Sequence, residues 1–144
     1  MLRVALLVVA LGLGAAACGD DDAADSEPLD ETELTITLDP DGPGGEAEPQ
    51  EAKLVCPGAN APRDACEEVG ALPASAAAPV PPQTACTEIF GGPDVVRITG
   101  TLNGDEVDTE LTRANGCEIE RFERFVPLLE ALFPDYEPGA ALNG

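Results

Sequence analysis

The chain has 144 residues and a formal net charge of −21 at pH 7, with five cysteines and no histidine. This length allows one small domain. The negative charge excludes nucleic-acid binding, because affinity for phosphate backbones depends on clustered Lys and Arg. Without histidine, no Ser–His or Cys–His catalytic pair can form, and no Lys-bearing phosphate loop is present. We therefore expect a binding protein without a cofactor rather than an enzyme.

The first 17 residues have the three parts of a secretory signal peptide. Met-Leu-Arg precedes an apolar run from Val4 to Leu13, which is followed by Gly-Ala-Ala-Ala. This run is shorter than the ~20 residues that a membrane-spanning helix needs. Cys18 comes next and resembles a bacterial lipobox cysteine, although Ala15 stands where Leu is preferred. We predict lipidation of Cys18 and anchoring at the outer face of the bacterial cytoplasmic membrane; the alternative is cleavage near Ala17 and secretion.

Lipidation of Cys18 leaves an even set of cysteines, at positions 56, 66, 86 and 117. Export places them in an oxidising compartment, in which disulfides are expected. Three pairings are open at this point. A zinc site is the competing interpretation, but the spacings are wide, Cys-x-x-Cys does not occur and histidine is missing, so no metal is predicted.

An acidic segment joins the predicted anchor to the domain. Thirteen of the 28 acidic residues lie between Asp20 and Glu51, a span without Lys or Arg. Residues 18–32 contain few large apolar groups, so they are predicted to form a disordered, self-repelling tether. An acidic docking patch is the alternative.

Two strands and a helix are predicted before residue 73. Glu33 to Asp39 alternates polar and apolar residues, as a half-buried strand does. A second short strand is predicted from Glu51 to Cys56, and a helix of two or three turns between Pro62 and Leu72. A Cys56–Cys66 bridge would close eleven residues and contribute about 3 kcal/mol.

The segment from Thr84 to Pro93, called the candidate loop below, is the predicted functional region. It follows Ala71 to Gln83, a run of Ala and Pro without helical or strand period. It contains Cys86 and the apolar pair Ile89–Phe90. If Cys86 pairs with Cys117, the loop is ordered before a partner arrives, which favours binding. The alternative is a disulfide that only stabilises a small exported domain.

A β-hairpin is predicted directly after the candidate loop. Val95 to Leu102 forms one strand, Asn103-Gly104 is a strong two-residue hairpin signal, and Glu106 to Thr112 returns antiparallel. A bridge between Cys86 and Cys117 would close 32 residues around this hairpin and contribute about 3.7 kcal/mol.

Helical spacing of apolar residues returns from Glu118 to Phe133. Pro127 interrupts this pattern, so two short helical pieces are predicted there. The folded domain is therefore expected to span residues 33–134, and residues 135–144 to form a flexible tail.

Several short motifs carry a family resemblance. In chain order they are LVCPG at 54–58, AC at 65–66, CTEIF at 86–90, PDV at 93–95, GTLNG at 100–104 and NGCE at 115–118. Together they resemble the Streptomyces subtilisin inhibitor-like family over roughly residues 33 to 120. The resemblance implies an α+β fold with an antiparallel sheet of about five strands and two short helices. It also implies the disulfides Cys56–Cys66 and Cys86–Cys117.

Members of that family inhibit secreted serine proteases through a substrate-like loop. The resemblance places the reactive bond between Glu88 and Ile89. The other residues that it places in contact with a protease are Ala85, Cys86, Thr87 and Phe90. Two positions depart from the family: Thr87 replaces a common Pro, and Glu88 stands where Met, Lys or another large residue is usual.

Two functions follow from these residues. One is a lipid-anchored inhibitor of an extracellular serine protease, either subtilisin-like or glutamate-preferring. An unpaired carboxylate in an apolar specificity pocket would cost several kcal/mol, which counts against inhibition of an ordinary subtilisin and leaves a protease that prefers or tolerates acidic residues. The other is a non-inhibitory lipoprotein that uses the same fold to bind another exported protein. Homodimer formation is left open.

Overall fold

The structure is a computed structural model and describes residues 31–143. The predicted signal peptide, the lipidation site Cys18 and residues 18–30 of the predicted tether lie outside the described residues. The helices and strands are, in chain order, β1 (Thr32–Asp39), β2 (Gln50–Cys56), α1 (Arg63–Ala71), β3 (Val95–Leu102), β4 (Asp105–Thr112), α2 (Gly116–Glu123) and α3 (Val126–Leu132). Two 3₁₀ helices cover Ala74–Ala77 and Ala140–Asn143. Within residues 31–143 no helix is long and apolar enough to cross a bilayer.

The strands form one antiparallel sheet in the order β2-β1-β3-β4. Ile36 of β1 lies opposite Ala52 on one side and Ile98 on the other. The predicted hairpin is present, and Asn103 and Gly104 join β3 to β4 with φ angles of 49° and 85°. Positive φ at both central residues is typical of a type I′ turn, whose twist matches that of the paired strands.

The core lies between one face of the sheet and the helices. The alternating residues Leu34, Ile36 and Leu38 of β1 are at most 1% exposed, as the period of two along a strand requires. From α2, α3 and the turn between them, the largest buried side chains are those of Phe122, Phe125, Leu128 and Leu129. The opposite face of the sheet is rich in Thr and charged residues.

The numbers of strands and of helices implied by the family resemblance are both wrong. The described residues form four strands rather than about five, and three α-helices rather than two. Residues 73–82 contain four prolines, which cannot donate to a strand ladder. The extra helix arises at Pro127, which is the second residue of α3 and tolerates the lack of an N–H there because the first helical turn leaves its N–H groups unpaired.

The C-terminal segment packs against the domain. Tyr136 is 7% exposed, and its hydroxyl donates to Oδ1 of Asp94 at 2.8 Å. Gly139 is also buried. Two residues of the predicted flexible tail, Tyr136 and Gly139, are therefore packed against the domain. A buried carboxylate needs hydrogen-bond donors, and this segment supplies two of them to Oδ1 of Asp94.

Candidate functional site

Three adjacent residues of the candidate loop, Glu88, Ile89 and Phe90, are exposed. Ile89 is 60% exposed and Phe90 is 57% exposed. The other large apolar side chains of comparable exposure among the described residues are Val55 and Leu142. Those two are isolated in the sequence, whereas Ile89 and Phe90 are adjacent and follow an exposed carboxylate. Neighbouring exposed apolar residues mark a binding surface more strongly than single ones do.

Two backbone hydrogen bonds bracket this exposed tripeptide. The N–H of Gly116 donates to the carbonyl oxygen of Thr87 at 2.9 Å. The N–H of Gly91 donates to the carbonyl oxygen of Arg113 at 2.8 Å. The residue before Glu88 and the residue after Phe90 are therefore bonded to Gly116, the first residue of α2, and to Arg113, the residue after β4. The tripeptide is held at each end, and its side chains face solvent.

A disulfide adds a covalent link at the first of these two ends. Cys86 is bonded to Cys117, with 5.4 Å between their Cα atoms. Cys117 is the second residue of α2, so the loop is fixed to the start of a helix. The side chain of Asn115 caps that helix, because its Oδ1 accepts from the N–H of Glu118 at 3.1 Å.

Gly116 allows the loop to approach the helix start closely. A Cβ atom at this position would overlap with Oγ1 of Thr87. Any other residue would therefore require the Thr87 hydroxyl to rotate away or Thr87 to shift. In this Asn-Gly-Cys sequence Asn115 caps the helix, Gly116 allows the close contact with Thr87, and Cys117 forms the covalent link to the loop.

Arg113 holds the second end of the tripeptide with its side chain as well as its backbone. Its Nε donates to the carbonyl oxygen of Gly91 at 3.0 Å and lies 3.8 Å from Oδ2 of Asp94. Its Nη1 contacts Oε1 of Glu123 at 3.0 Å, and the guanidinium lies 5.2 Å from the ring centre of Phe122. The Arg113 side chain is only 11% exposed, so its contacts with Gly91 and Asp94 are largely shielded from water, whereas its partner Glu123 is 54% exposed.

The Ala/Pro run that leads into the loop is fixed by Arg121. Nη2 of Arg121 donates to the carbonyl oxygen of Ala77 at 3.3 Å and to Oγ1 of Thr109. Nη1 donates to the carbonyl oxygen of Glu110 and to Oε2 of Glu118 at 2.8 Å. The run is therefore tied to β4 at Ala77, although its sequence has no regular period.

The structure brings all the predicted loop residues together on one side of the molecule. Ala85 and Thr87 are exposed and Cys86 is partly exposed, next to Glu88–Phe90. The disulfides are Cys56–Cys66, between β2 and α1, and Cys86–Cys117. These are the pairings that the family resemblance implies.

Three residues that support the loop were not identified from the sequence: Asp94, Arg113 and Tyr136. Asp94 directly follows the loop, and Arg113 is one of six basic residues in the described part of the chain. An isolated cation between a strand and a helix cap is a weak signal for this role. Nothing in the sequence around Tyr136 indicates its role, because its partner Asp94 lies 42 residues away.

No family model, no curated protein and no solved structure matches this chain. Its function is therefore inferred from the loop itself and from the residues that hold it.

Proposed function

We propose that this protein is an exported, membrane-anchored inhibitor of a serine protease, and that Glu88–Ile89 is its reactive bond. It would act by binding rather than as an enzyme. This function rests on a single observation: an exposed tripeptide is held at both ends by backbone hydrogen bonds and at one end by a disulfide. A loop held in this way binds a protease cleft without a large loss of conformational entropy.

Slow hydrolysis follows from the same restraint. When a catalytic serine oxygen attacks the carbonyl carbon of Glu88, the bond to the Ile89 nitrogen breaks and the nitrogen takes a proton from the catalytic histidine of the protease. The new amine remains two residues from Gly91, whose N–H is bonded to Arg113. Because the amine stays close to the acyl-enzyme, it can attack the ester and re-form the peptide bond.

Glu88 determines the class of protease. Its carboxylate would be costly in an apolar pocket but favourable opposite a cationic group. Ile89 and Phe90 would occupy the subsites that follow the cleaved bond, and they favour apolar surfaces there. A glutamate-preferring serine protease is therefore the favoured target, and a subtilisin-like enzyme that tolerates an acidic residue is the second.

The location follows from the predicted export signals. Lipidation of Cys18 would anchor the chain at the outer face of the cytoplasmic membrane, and the acidic segment after it would hold the domain away from the anionic surface. The two disulfides suit an oxidising compartment. The target would then be an exported protease, or one released close to the cell surface.

A panel of serine proteases that includes a glutamate-specific enzyme tests this function. Inhibition constants are measured, and mass spectrometry detects any cleavage of the Glu88–Ile89 bond. Glu88→Gln is the test variant and Glu106→Gln is the control, since both remove one exposed negative charge. Weaker inhibition for the first variant alone is the expected result. Rapid cleavage of the loop, or no binding to any protease, would contradict the function.

The second candidate is a non-inhibitory module that binds another exported protein. The exposure of Ile89 and Phe90 supports it, because an adjacent apolar pair would also suit a docking surface without a catalytic cleft. In that case the loop is not cleaved in complex with its partner, and Ile89→Ser abolishes binding while Glu88→Gln has little effect.

A further inference from the structure

The two sides of the Glu88–Ile89 bond are held in different ways. The Glu88 side is linked covalently to α2 through Cys86–Cys117. The Ile89 side continues into Gly91, Gly92 and Pro93 and is held by non-covalent contacts. If the bond is cleaved, the Ile89 side carries the leaving amine. The position of that amine therefore depends on how firmly residues 91–93 are held.

Asp94 lies at the end of this non-covalent side, and its side chain is fully buried. Its Oδ1 accepts from the hydroxyl of Tyr136 at 2.8 Å and from the N–H of Gly139 at 3.0 Å. Its Oδ2 lies 3.8 Å from Nε of Arg113. One carboxylate thus connects the end of the candidate loop to the C-terminal segment and to the arginine that binds Gly91.

The C-terminal segment also contacts the loop backbone directly. A Cβ atom at Gly139 would lie 3.0 Å from the carbonyl oxygen of Gly91, and one at Gly92 would lie 3.1 Å from Cα of Gly139. The connection between β1 and β2 also approaches the loop: a Cβ atom at Gly42 would overlap with the carbonyl oxygen of Pro93. Residues 91–93 are therefore enclosed between two segments that are far apart in the sequence.

We propose that residues 136–139 form a C-terminal brace, in which Tyr136 and Asp94 position the Ile89 side of the reactive bond, an inference that rests on the proposed function. Tyr136 and Asp94 touch neither the bond nor a protease; they act through Gly91 and Arg113. The brace would keep the leaving amine in place after cleavage and thereby favour re-formation of the bond over hydrolysis.

The chemistry of the Tyr136–Asp94 pair suits this role. Burial, and then the hydrogen bond to Asp94, raise the pKa of Tyr136 above its ordinary value, so the hydroxyl remains a donor at neutral and mildly alkaline pH. A hydrogen bond to a charged acceptor is stronger than one between neutral groups. The pair is also shielded from water, so salt has little effect on it.

Tyr136→Phe in the full mature chain tests the brace, because it removes the hydroxyl and keeps the ring. Leu142→Ala is the control, since Leu142 lies in the same C-terminal segment but is 52% exposed. Amide exchange of Gly91 is measured without any protease. Loss of one hydrogen bond to a charged group should raise the exchange rate of the Gly91 amide about 10-fold. Exchange in the β3–β4 hairpin should stay unchanged. With the target protease, hydrolysis of the Glu88–Ile89 bond should become about 10-fold faster, with little change in the association rate.

The outcomes distinguish failure of the brace from failure of the proposed function. Unchanged exchange at Gly91 would overturn the brace, as would faster exchange with unchanged hydrolysis by an inhibited protease. Faster exchange in a chain that inhibits no protease would support the brace as a loop anchor and would contradict inhibition instead. If Tyr136→Phe does not fold, Asp94→Asn replaces it. This variant keeps an oxygen that can accept from Tyr136 and Gly139 but loses the negative charge beside Arg113. Faster amide exchange at Gly91 is again the expected result.

Discussion

Gly91 and Arg113 are joined by a reciprocal pair of hydrogen bonds. The N–H of Gly91 donates to the carbonyl oxygen of Arg113 at 2.8 Å, and Nε of Arg113 donates back to the carbonyl oxygen of Gly91 at 3.0 Å. Both polar backbone groups of one loop residue are therefore satisfied by a single partner. This partner also faces the buried carboxylate of Asp94, so the order of the loop and the stability of the core depend on the same side chain.

Arg113→Ala is expected to destabilise the protein by about 2–4 kcal/mol, because it leaves the buried Asp94 without its cation and removes a guanidinium that packs on Phe122. Denaturant unfolding measures this change. Arg97→Ala is the control: Arg97 pairs with Asp108 at 2.7 Å, but their side chains are 55% and 67% exposed. Such a pair contributes about 1 kcal/mol or less. Equal effects of the two variants would contradict the role given to Arg113.

Removing either disulfide should lower stability, but only one should affect the loop. Cys86→Ser with Cys117→Ser is expected to cost about 3–4 kcal/mol and to weaken inhibition, because the Glu88 side becomes mobile. Cys56→Ser with Cys66→Ser removes the bridge between β2 and α1 and should leave inhibition by the remaining folded protein nearly unchanged. Inhibition constants and unfolding curves of both double variants check this. Loss of inhibition in both double variants would indicate that inhibition depends on the stability of the whole domain and not on the local link at Cys86.

Gly116→Ala should displace the Thr87 side chain, since the added Cβ would overlap with its Oγ1. We expect a loss of about 1–3 kcal/mol from overpacking. Thr87→Ala removes the colliding oxygen, so the double variant should recover part of that loss. A double-mutant cycle in unfolding free energy measures the coupling. Strict additivity of the two changes would show that these residues do not meet in solution.

Glu88→Met should shift affinity in opposite directions for two classes of protease. Against a subtilisin-type enzyme, binding should strengthen by several kcal/mol, because no carboxylate enters an apolar pocket. Against a glutamate-preferring enzyme it should weaken, because the pairing with a cationic group is lost. Inhibition constants for both enzymes test this. If affinity for every serine protease stays undetectable, the interaction-module function replaces inhibition.

Stability should fall at alkaline pH because of Tyr136. Burial raises the pKa of this tyrosine in the folded state, whereas the unfolded chain has the ordinary value of about 10. Its contribution is therefore complete below pH 10. Above that pH the unfolded state loses the proton first, and stability declines by up to about 1.4 kcal/mol per pH unit.

Tyr136 is the single tyrosine of the chain, so ultraviolet absorbance reports its ionisation directly. The folded protein should show no phenolate where the denatured protein is fully ionised. Tyr136→Phe should lack this part of the pH dependence. Ionisation of the folded protein near pH 10 would mean that the hydroxyl is not bonded to Asp94 in solution.

The parts of the fold that were predictable are those encoded by local pattern. Alternation identifies the buried face of β1, and Asn103-Gly104 identifies the hairpin because only certain residues adopt positive φ in succession. The support of the loop was not predictable in the same way. Asp94 and Tyr136 are 42 residues apart, and nothing in either local sequence specifies the other. The number of strands came from the resemblance, and the proline-rich connections of this chain do not add a fifth strand.

The position of the Cys86–Cys117 bridge has a consequence for a cleaved molecule. The Glu88–Ile89 bond lies inside the ring that this bridge closes, so its cleavage would not divide the protein into separate pieces. The result would be a two-chain molecule in which the N-terminal chain keeps any lipid and the C-terminal chain keeps β3, β4 and α2. Non-reducing electrophoresis would show one species and reducing electrophoresis two. If Cys18 carries the proposed lipid, both chains of a nicked molecule would stay covalently joined to that anchor for as long as the bridge is intact.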